Sequence, residues 1–258
     1  MRARDLRRGV LLSALLTAAT LLAHGGAVRA APVAGATRAP ATLAVLYFDY
    51  GGKDASLEPL RQGLAQMLIS DLAVVDGLKV VERERLQEVL NEQKLGRTAS
   101  FDARTAARVG KLLGARYLVL GRYFDVMGTF RADARLVDVE TGEIVRSVGA
   151  TGKPDDFLAL EQSLAEGLRE VAAKLPPLGS AAVGSSPEKP PKPPTQANPR
   201  PAPKPPRHLK TRTAVTYGRA LLAMDSGDRK GARTLLQNVL AEQPDFELAN
   251  RDLDRLIR

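Results

Sequence analysis

The sequence predicts an α/β (α+β) fold, in which a mixed β-sheet carries packed helices and a small all-α helical hairpin follows. Two observations predict this class. Short apolar runs typical of strands alternate with segments whose leucines recur at helical spacing. A proline-rich stretch then separates this region from a second one that contains helical patterns alone. The predicted element order of the first region is β-α-β-α-α-β-β-β-α, which favours helices packed against a mixed sheet.

The first four elements follow from apolar spacing and from turn residues. The run "TLAVLYFDY" over 42–50 predicts a buried strand, which a Gly-Gly turn closes. Residues 57–75 place leucines at helical spacing, with Asp54 or Ser56 as the helix cap. The run "GLKVVE" predicts a second strand, and the apolar positions over 86–90 mark one face of a second helix.

The remaining elements of this region follow from the same signals. Asp102 predicts the cap of a third helix, which ends at Gly114. The run "ARYLVLGRYF" predicts a third strand. The run "TFRADARLVDVETGEIVRSVGA" alternates apolar with charged residues and contains a turn at 140–142, so it predicts two paired strands. Apolar residues at helical spacing over 157–175 predict the closing helix.

Composition divides the chain into five segments. The order of a basic start, a short apolar run and the small residues of "AVRA" predicts a secretory signal, and the run is shorter than the roughly 20 residues that span a membrane. An uncleaved signal anchor is the alternative. We expect a signal peptide over 1–30, an N-terminal tether over 31–41, the sheet domain over 42–175, a disordered Pro/Lys-rich linker over 176–212 and a tetratricopeptide-like helical segment over 213–258.

Charge and cysteine usage restrict the function classes. Most of the net charge of +9 lies in the predicted signal and linker, so no folded domain is basic enough to favour nucleic acid. The chain has no cysteine, which excludes disulfides and a lipid-bearing cysteine. We therefore expect a periplasmic protein that is not a lipoprotein, with an association with the outer membrane as a further hypothesis.

Two segments keep alternative interpretations. The Pro/Lys-rich linker is either an extended spacer or a cationic strap that contacts anionic cell wall. In the last segment, Ala232, Leu236, Val239 and Pro244 keep the offsets of a tetratricopeptide helix pair, although Ala220 stands where glycine is usual. That segment is either a peptide-binding or docking module or a plain helical tail.

The sequence offers no pattern typical of catalysis. The two histidines are His24, in the predicted signal, and His208, in the predicted linker, so neither a nucleophile–His pair nor a His or Cys zinc site is expected in the folded parts. The Gly-Gly pair after the first strand lacks the other residues of a phosphate-binding loop. The acidic pair Asp155-Asp156 is interpreted as a helix start. We expect no enzyme activity and no cofactor or metal.

Several motifs together resemble the CsgG family of outer-membrane secretion and assembly proteins. They are "LKVVERERLQEVLNEQKLG", "DARTAARVGKLLGARYLVLGRY" and "RADARLVDVETGEIV", which stand in that family's order. The TolB amino-terminal domain, the flagellar accessory protein FlgO and the penicillin-binding-protein activator LpoB share these motifs. The resemblance extends over roughly 43–175. It implies a binding protein of the cell envelope without an active site.

This chain departs from the family's secretion channels, as the resemblance describes them. The connection over 124–129 is predicted to be a tight turn, and no pair of segments has the length of a membrane-crossing hairpin. The first hypothesis is therefore a non-catalytic periplasmic accessory factor for outer-membrane secretion or surface-structure assembly. It would bind envelope proteins, including an outer-membrane export complex, and a homo-oligomer is a further expectation. The alternative is an LpoB-like regulator of a peptidoglycan synthase.

The candidate partner-binding residues are charged positions near the predicted strand ends. Three lie at the charged corner after the second strand, namely Glu82, Arg83 and Arg85. Two lie on the predicted hairpin, namely Arg131 and Arg135. Ordinary solvated charge is the alternative interpretation of all five, with neighbouring acids and bases that neutralise each other.

Overall fold

The computed structural model describes residues 40–95, 102–126, 128–176 and 208–257. The predicted signal peptide and most of the predicted linker lie outside the described residues. The strands, in chain order, are β1 (Ala41–Val45), β2 (Asp49–Tyr50), β3 (Leu78–Val80), β4 (Tyr117–Val126), β5 (Thr129–Asp138) and β6 (Ile144–Gly152). The α-helices are α1 (Leu60–Leu72), α2 (Arg83–Glu92), α3 (Ala103–Leu112), α4 (Phe157–Ala172), α5 (Thr211–Asp225), α6 (Arg229–Glu242) and α7 (Glu247–Ile257).

The strands form one mixed sheet in the order β3-β1-β4-β5-β6, and β2 also pairs with β4. β1 runs parallel to β3 and to β4, whereas β4, β5 and β6 form an antiparallel meander. A single Gly-containing turn joins β4 to β5, and Gly128 in it has a φ of 75°, which glycine adopts without strain. The predicted fold class, a mixed sheet with packed helices and a helical C-terminal region, is confirmed.

The predicted strand over 42–50 consists of two strands in the structure, β1 and β2, with a buried stretch between them. Within this stretch the Phe48 ring lies against Gly121 of β4, where any Cβ atom would overlap the ring. Glycine in the middle of a strand is typical of such close approaches. The parallel pairing resumes where Asp49 lies opposite Arg122. The break therefore places an aromatic ring in the core and leaves the strand direction unchanged.

The helices α1 and α4 cover one side of the sheet. The side chains of Phe130, Ala132, Ala134 and Leu136 on β5 are buried on that side, in agreement with the predicted alternation. Almost every residue of α1 is buried, including its polar residues, so this helix has neighbours on more than one side. The core of the protein lies between these two helices and the sheet.

The C-terminal helices pack against α1, and two glycines lie at that contact. A Cβ atom on Gly63 of α1 would lie 3.5 Å from the Ala214 carbonyl oxygen, and a Cβ atom on Gly218 of α5 would overlap the Pro59 carbonyl oxygen. The small residues therefore let the two backbones approach closely. The tetratricopeptide-like character of this segment and the predicted domain boundaries stay predictions.

None of the helices within the described ranges is both long and apolar enough to cross a membrane.

Candidate protein-binding face

The side of the meander away from α1 and α4 carries a surface that helices cover only in part. Because strand side chains alternate between the two faces, alternate residues of β4 and β5 share this side. We call it the open face, and its residues are Leu118, Leu120, Arg122 and Phe124 on β4 and Arg131, Asp133, Arg135 and Val137 on β5. Its three arginines are exposed, and Leu120, Phe124 and Val137 are half-buried.

The helix α3 covers one end of the open face. A Cβ atom on Gly110 of α3 would lie 2.9 Å from side-chain carbons of Leu118 and Val139, so the helix backbone lies directly over this end of the sheet. Beyond α3 no described helix covers the sheet, and a cavity of about 490 Å³ opens there. Its walls include Ala106 and Ala107 of α3, and its volume falls in the range of pockets that accept small ligands or side chains.

Each acidic residue that lines this cavity forms an ion pair with an arginine that does not line it. Arg131 donates from Nε and Nη2 to the carboxylate of Asp133 at 2.8 to 3.1 Å. Arg116 Nη2 donates to Asp138 Oδ2 at 2.7 Å. Arg61 lies 3.3 Å from Asp49 Oδ1 and also donates to the Phe48 carbonyl oxygen. Each lining carboxylate therefore has an arginine partner, although Arg116 also pairs with Glu140 and Arg61 with Glu58.

Arg122 and Arg135 complete the lining of the cavity, and both are exposed. In the part of the chain that the structure describes, neither guanidinium forms an ion pair with a carboxylate. Arg122 lies directly opposite Asp133, but that carboxylate accepts its hydrogen bonds from Arg131. The cavity thus combines apolar lining residues with two arginines that form no ion pair with a described carboxylate.

The candidate residues named from the sequence fall into two groups. Arg131 and Arg135 lie on the open face, and Arg131 is held by Asp133. Glu82 and Arg85 lie exposed at the start of α2, where Arg85 Nη1 donates to Glu88 Oε2 at 2.9 Å. No contact between described residues joins the two groups. Their role in partner binding stays a prediction.

Arg83, the fifth candidate, is not on the surface that its charged neighbours suggested. Its side chain is 1% exposed, and Nη1 donates to Oδ1 of Asp225 on α5 at 2.5 Å. Beside it, Arg255 of α7 donates to Glu84 Oε1 at 3.0 Å. Two ion pairs therefore join the start of α2 to the C-terminal helices. Arg83 is buried, and not exposed as predicted, because Asp225 approaches it from a distant part of the chain, which the local sequence cannot indicate.

A buried polar pair lies within the C-terminal helices. The Tyr217 hydroxyl donates to Asp252 Oδ2 at 2.8 Å, and both side chains are buried. Burial raises the pKa of Tyr217, and the adjacent Asp252 carboxylate raises it further. Burial also raises the pKa of Asp252, which the hydrogen bond from Tyr217 partly offsets. The pair satisfies polar groups in the interior and fixes α5 against α7.

Helix α4 contains a buried acidic residue. Glu161 of α4 is 1% exposed, and its Oε1 atom has no hydrogen-bond partner in the structure. Burial raises the pKa of Glu161 well above its ordinary value, the Asp71 carboxylate raises it further, and Arg169 lowers it.

Among the described residues no group of three or more His, Cys, Asp or Glu side chains is arranged to hold a metal ion.

Sequence reasoning missed the open-face residues of β4. The run "ARYLVLGRYF" predicts a third strand without assigning its faces, although Leu118, Leu120 and Arg122 share one face by simple alternation. The position of Arg122 in this alternation indicated that one end of the open face is exposed to solvent. The extent of the opening depends on how far α3 reaches across the sheet, which the sequence does not specify.

Part of the chain matches a known protein family. Residues 41–126, a third of the chain, match the family model described as "Curli production assembly/transport component CsgG". The resemblance to the CsgG family is confirmed. The matched region holds the parallel part of the sheet, the helices α1 to α3 and the whole of β4. No curated protein matches the chain.

Solved structures that are similar to part of the chain include the following three proteins. The LpoB C-terminal domain from Salmonella enterica is 18% identical, with a TM-score of 0.38 over 46% of this chain and 86% of that one. Lipoprotein GNA1162 from Neisseria meningitidis is 16% identical, with a TM-score of 0.38 over 53% of this chain and 100% of that one. TolB from Acinetobacter baumannii is 12% identical, with a TM-score of 0.33 over 52% of this chain and 28% of that one.

Proposed function

We propose that this chain is a non-catalytic accessory protein of the cell envelope that acts by binding another protein. Its role is in outer-membrane secretion or in the assembly of a surface structure. The match of residues 41–126 to the CsgG component of curli assembly and transport supports the envelope setting. The periplasm is the proposed compartment, supported by the signal-like start of the sequence.

The open face is the observation that carries this proposal. A half-buried apolar floor with an adjoining cavity and exposed arginines has the composition of a protein-binding surface, since such surfaces combine apolar contact with arginine. Exposed Ile144, at 53%, extends the apolar area to the edge strand β6. At the centre of such surfaces, a few anchoring residues supply most of the binding free energy.

The residue inventory supports binding as opposed to catalysis. The described histidine, His208, is an exposed residue whose Nδ1 lies 3.4 Å from the Asp156 carboxylate. The carboxylates around the cavity are already bonded to arginines, so they are poor general bases. Arg122 and Arg135, which pair with no described carboxylate, are groups that bind anions and do not exchange protons near neutral pH.

Photo-crosslinking in living cells tests this function. A photo-reactive amino acid replaces Ile144 at the rim of the cavity, and a matched variant carries it at Arg233, an exposed residue of α6. We expect an envelope protein of secretion or surface assembly to be captured from position 144 and not from position 233. Capture of a cell-wall synthase at position 144 would replace the proposal with the regulator hypothesis. Equal capture from both positions would contradict the assignment of the open face.

A further inference from the structure

We propose that the open face binds an extended acidic segment of its partner, with two carboxylates two residues apart and an apolar side chain beyond them. This inference rests on the proposed function and specifies the chemistry of the partner. It follows from three features of the open face: the charges that remain unpaired, the distance between them, and the apolar cavity beside them.

Charge is the first feature. The carboxylates of Asp49, Asp133 and Asp138 are each bonded to an arginine of the protein. Arg122 and Arg135 therefore contribute positive charge that no described carboxylate balances. A guanidinium binds a carboxylate through two parallel hydrogen bonds, which are stronger than bonds between neutral groups. A segment with two carboxylates complements this surface.

The second feature is the distance between the two arginines. Arg122 lies opposite Asp133, and Arg135 lies opposite Leu120, so the two arginines are diagonal neighbours across β4 and β5. Diagonal neighbours in an antiparallel pair are about 7–8 Å apart. In an extended peptide, side chains two residues apart lie on the same side and are separated by about 6.6 Å. An acidic-x-acidic segment in strand conformation thus reaches both arginines.

The third feature is the apolar cavity next to these charges. Leu120 and Val137 form its floor beside Arg135, and Ile144 stands at its rim. The cavity extends from the charged pair toward α3, so a segment that binds both arginines continues into it. An apolar side chain of the partner fills this space and removes apolar surface from water, which favours binding.

These features favour a peptide over an anionic polymer or lipid surface. Binding to such surfaces depends on many exposed cations and weakens steeply with salt. Here, within the described residues, two arginines without a carboxylate partner lie among acids that are paired, and they adjoin a cavity of about 490 Å³ that a phosphate group does not fill. The apolar cavity therefore indicates that side-chain recognition accompanies the charge.

Fluorescence anisotropy with the full chain tests the inference. The probe is a labelled peptide of alternating Glu and Val that ends in Leu, and its match has Gln in place of Glu. We expect the acidic peptide to bind at least about tenfold more tightly than the Gln peptide, since charged hydrogen bonds are lost. Equal affinities, or no binding of the acidic peptide up to about 1 mM, would overturn the inference.

Charge-reversed variants identify the surface. The double variant Arg122→Glu, Arg135→Glu should weaken binding of the acidic peptide at least about tenfold. The matched double variant Arg219→Glu, Arg233→Glu changes two exposed arginines of the C-terminal helices and should bind as the wild type does. If both variants lose binding equally, the effect is one of net charge and the inference fails. Displacement of the peptide by inorganic phosphate at constant ionic strength would overturn it as well, in favour of a general anion site.

The two proposals fail in different ways. Crosslinking at Ile144 to an envelope protein that lacks an acidic segment would retain the proposed function and overturn the acidic-segment inference. Peptide binding at Arg122 and Arg135 without any partner captured in cells would retain the surface chemistry and contradict the proposed function.

Discussion

Arg83 and Asp225 stand 142 residues apart in the chain and form an ion pair at 2.5 Å in the interior of the protein. Their side chains are 1% and 7% exposed, so water screens neither charge effectively. The pair joins α2 of the sheet domain to α5 of the C-terminal helices. A buried charge is costly without a partner of opposite charge. This ion pair therefore joins the C-terminal helices to the sheet domain, in addition to their packing contacts.

Breaking this ion pair should destabilise the protein strongly. The variant Asp225→Asn leaves the buried Arg83 guanidinium with Glu84, which is 44% exposed and lies 3.7 Å away, as its remaining carboxylate. Removal of one partner of a buried pair typically costs about 3–5 kcal/mol. Urea denaturation followed by circular dichroism measures the free energy of unfolding.

The matched control for Asp225→Asn is Glu88→Gln, which breaks an exposed pair with Arg85. Exposed pairs contribute about 0–1 kcal/mol, so this variant should stay close to the wild type. If Asp225→Asn and Glu88→Gln lower the free energy of unfolding equally, the buried pair does not hold the C-terminal helices in place.

The two glycines between α1 and α5 should respond in opposite ways to alanine. At Gly218 the new methyl group overlaps the Pro59 carbonyl oxygen, which belongs to the backbone and cannot move easily, so we expect a loss of about 1–3 kcal/mol. At Gly63 the methyl group meets the Ala214 carbonyl oxygen at 3.5 Å, an ordinary contact. Alanine there should stabilise the helix by up to about 1 kcal/mol.

Thermal unfolding and limited proteolysis test the glycine prediction together. Gly218→Ala should lower Tm and make the connection before α5 easier to cleave, whereas Gly63→Ala should do neither. Equal responses of the two variants would show that the close approach of α5 to α1 is not present in solution.

The stability of the protein should fall as pH rises above the ordinary pKa of a glutamate. Burial raises the pKa of Glu161 in the folded state, so the folded protein keeps a proton that the unfolded chain releases. The stability that protonated Glu161 contributes is fully present below the unfolded pKa of about 4.5. It is lost progressively as pH rises toward the folded pKa. Asp71, whose pKa burial also raises, adds to the same trend.

The variant Glu161→Gln removes this titration while it keeps the size of the side chain. We expect it to be more stable than the wild type at neutral pH and to approach the wild type near pH 4, about where glutamate is protonated in the unfolded chain. The control Glu166→Gln lies exposed on the same helix and should leave the pH dependence unchanged. Parallel stability profiles for the wild type and Glu161→Gln would contradict the assignment.

Local patterns were sufficient to predict most elements of the sheet domain. The apolar period over 157–175 predicted a helix that is observed as α4, Phe157–Ala172. The predicted cap at Asp102 is observed, with the Thr105 amide donating to the Asp102 carboxylate at 2.7 Å. These signals depend on residues within one or two helical turns, so a single sequence contains them.

The contacts between distant segments could not be predicted in this way. Arg83 carries the local signature of a surface residue, with charged neighbours on both sides, and only the approach of Asp225 makes it an interior one. The near-complete burial of α1 likewise depends on α5. For the open face, the alternation along β4 was visible in the sequence, but the reach of α3 across the sheet was not.

Cysteine accessibility in living cells tests the binding role of the open face most directly, because the chain has no natural cysteine. Single variants Ile144→Cys and Arg233→Cys are labelled with a maleimide, in cells and as purified protein. A partner present at about ten times its Kd occupies about nine-tenths of the protein, so labelling at position 144 should be about tenfold slower in cells than in the purified protein. Position 233 should show no difference. Equal labelling rates at position 144 in cells and in the purified protein would contradict the account.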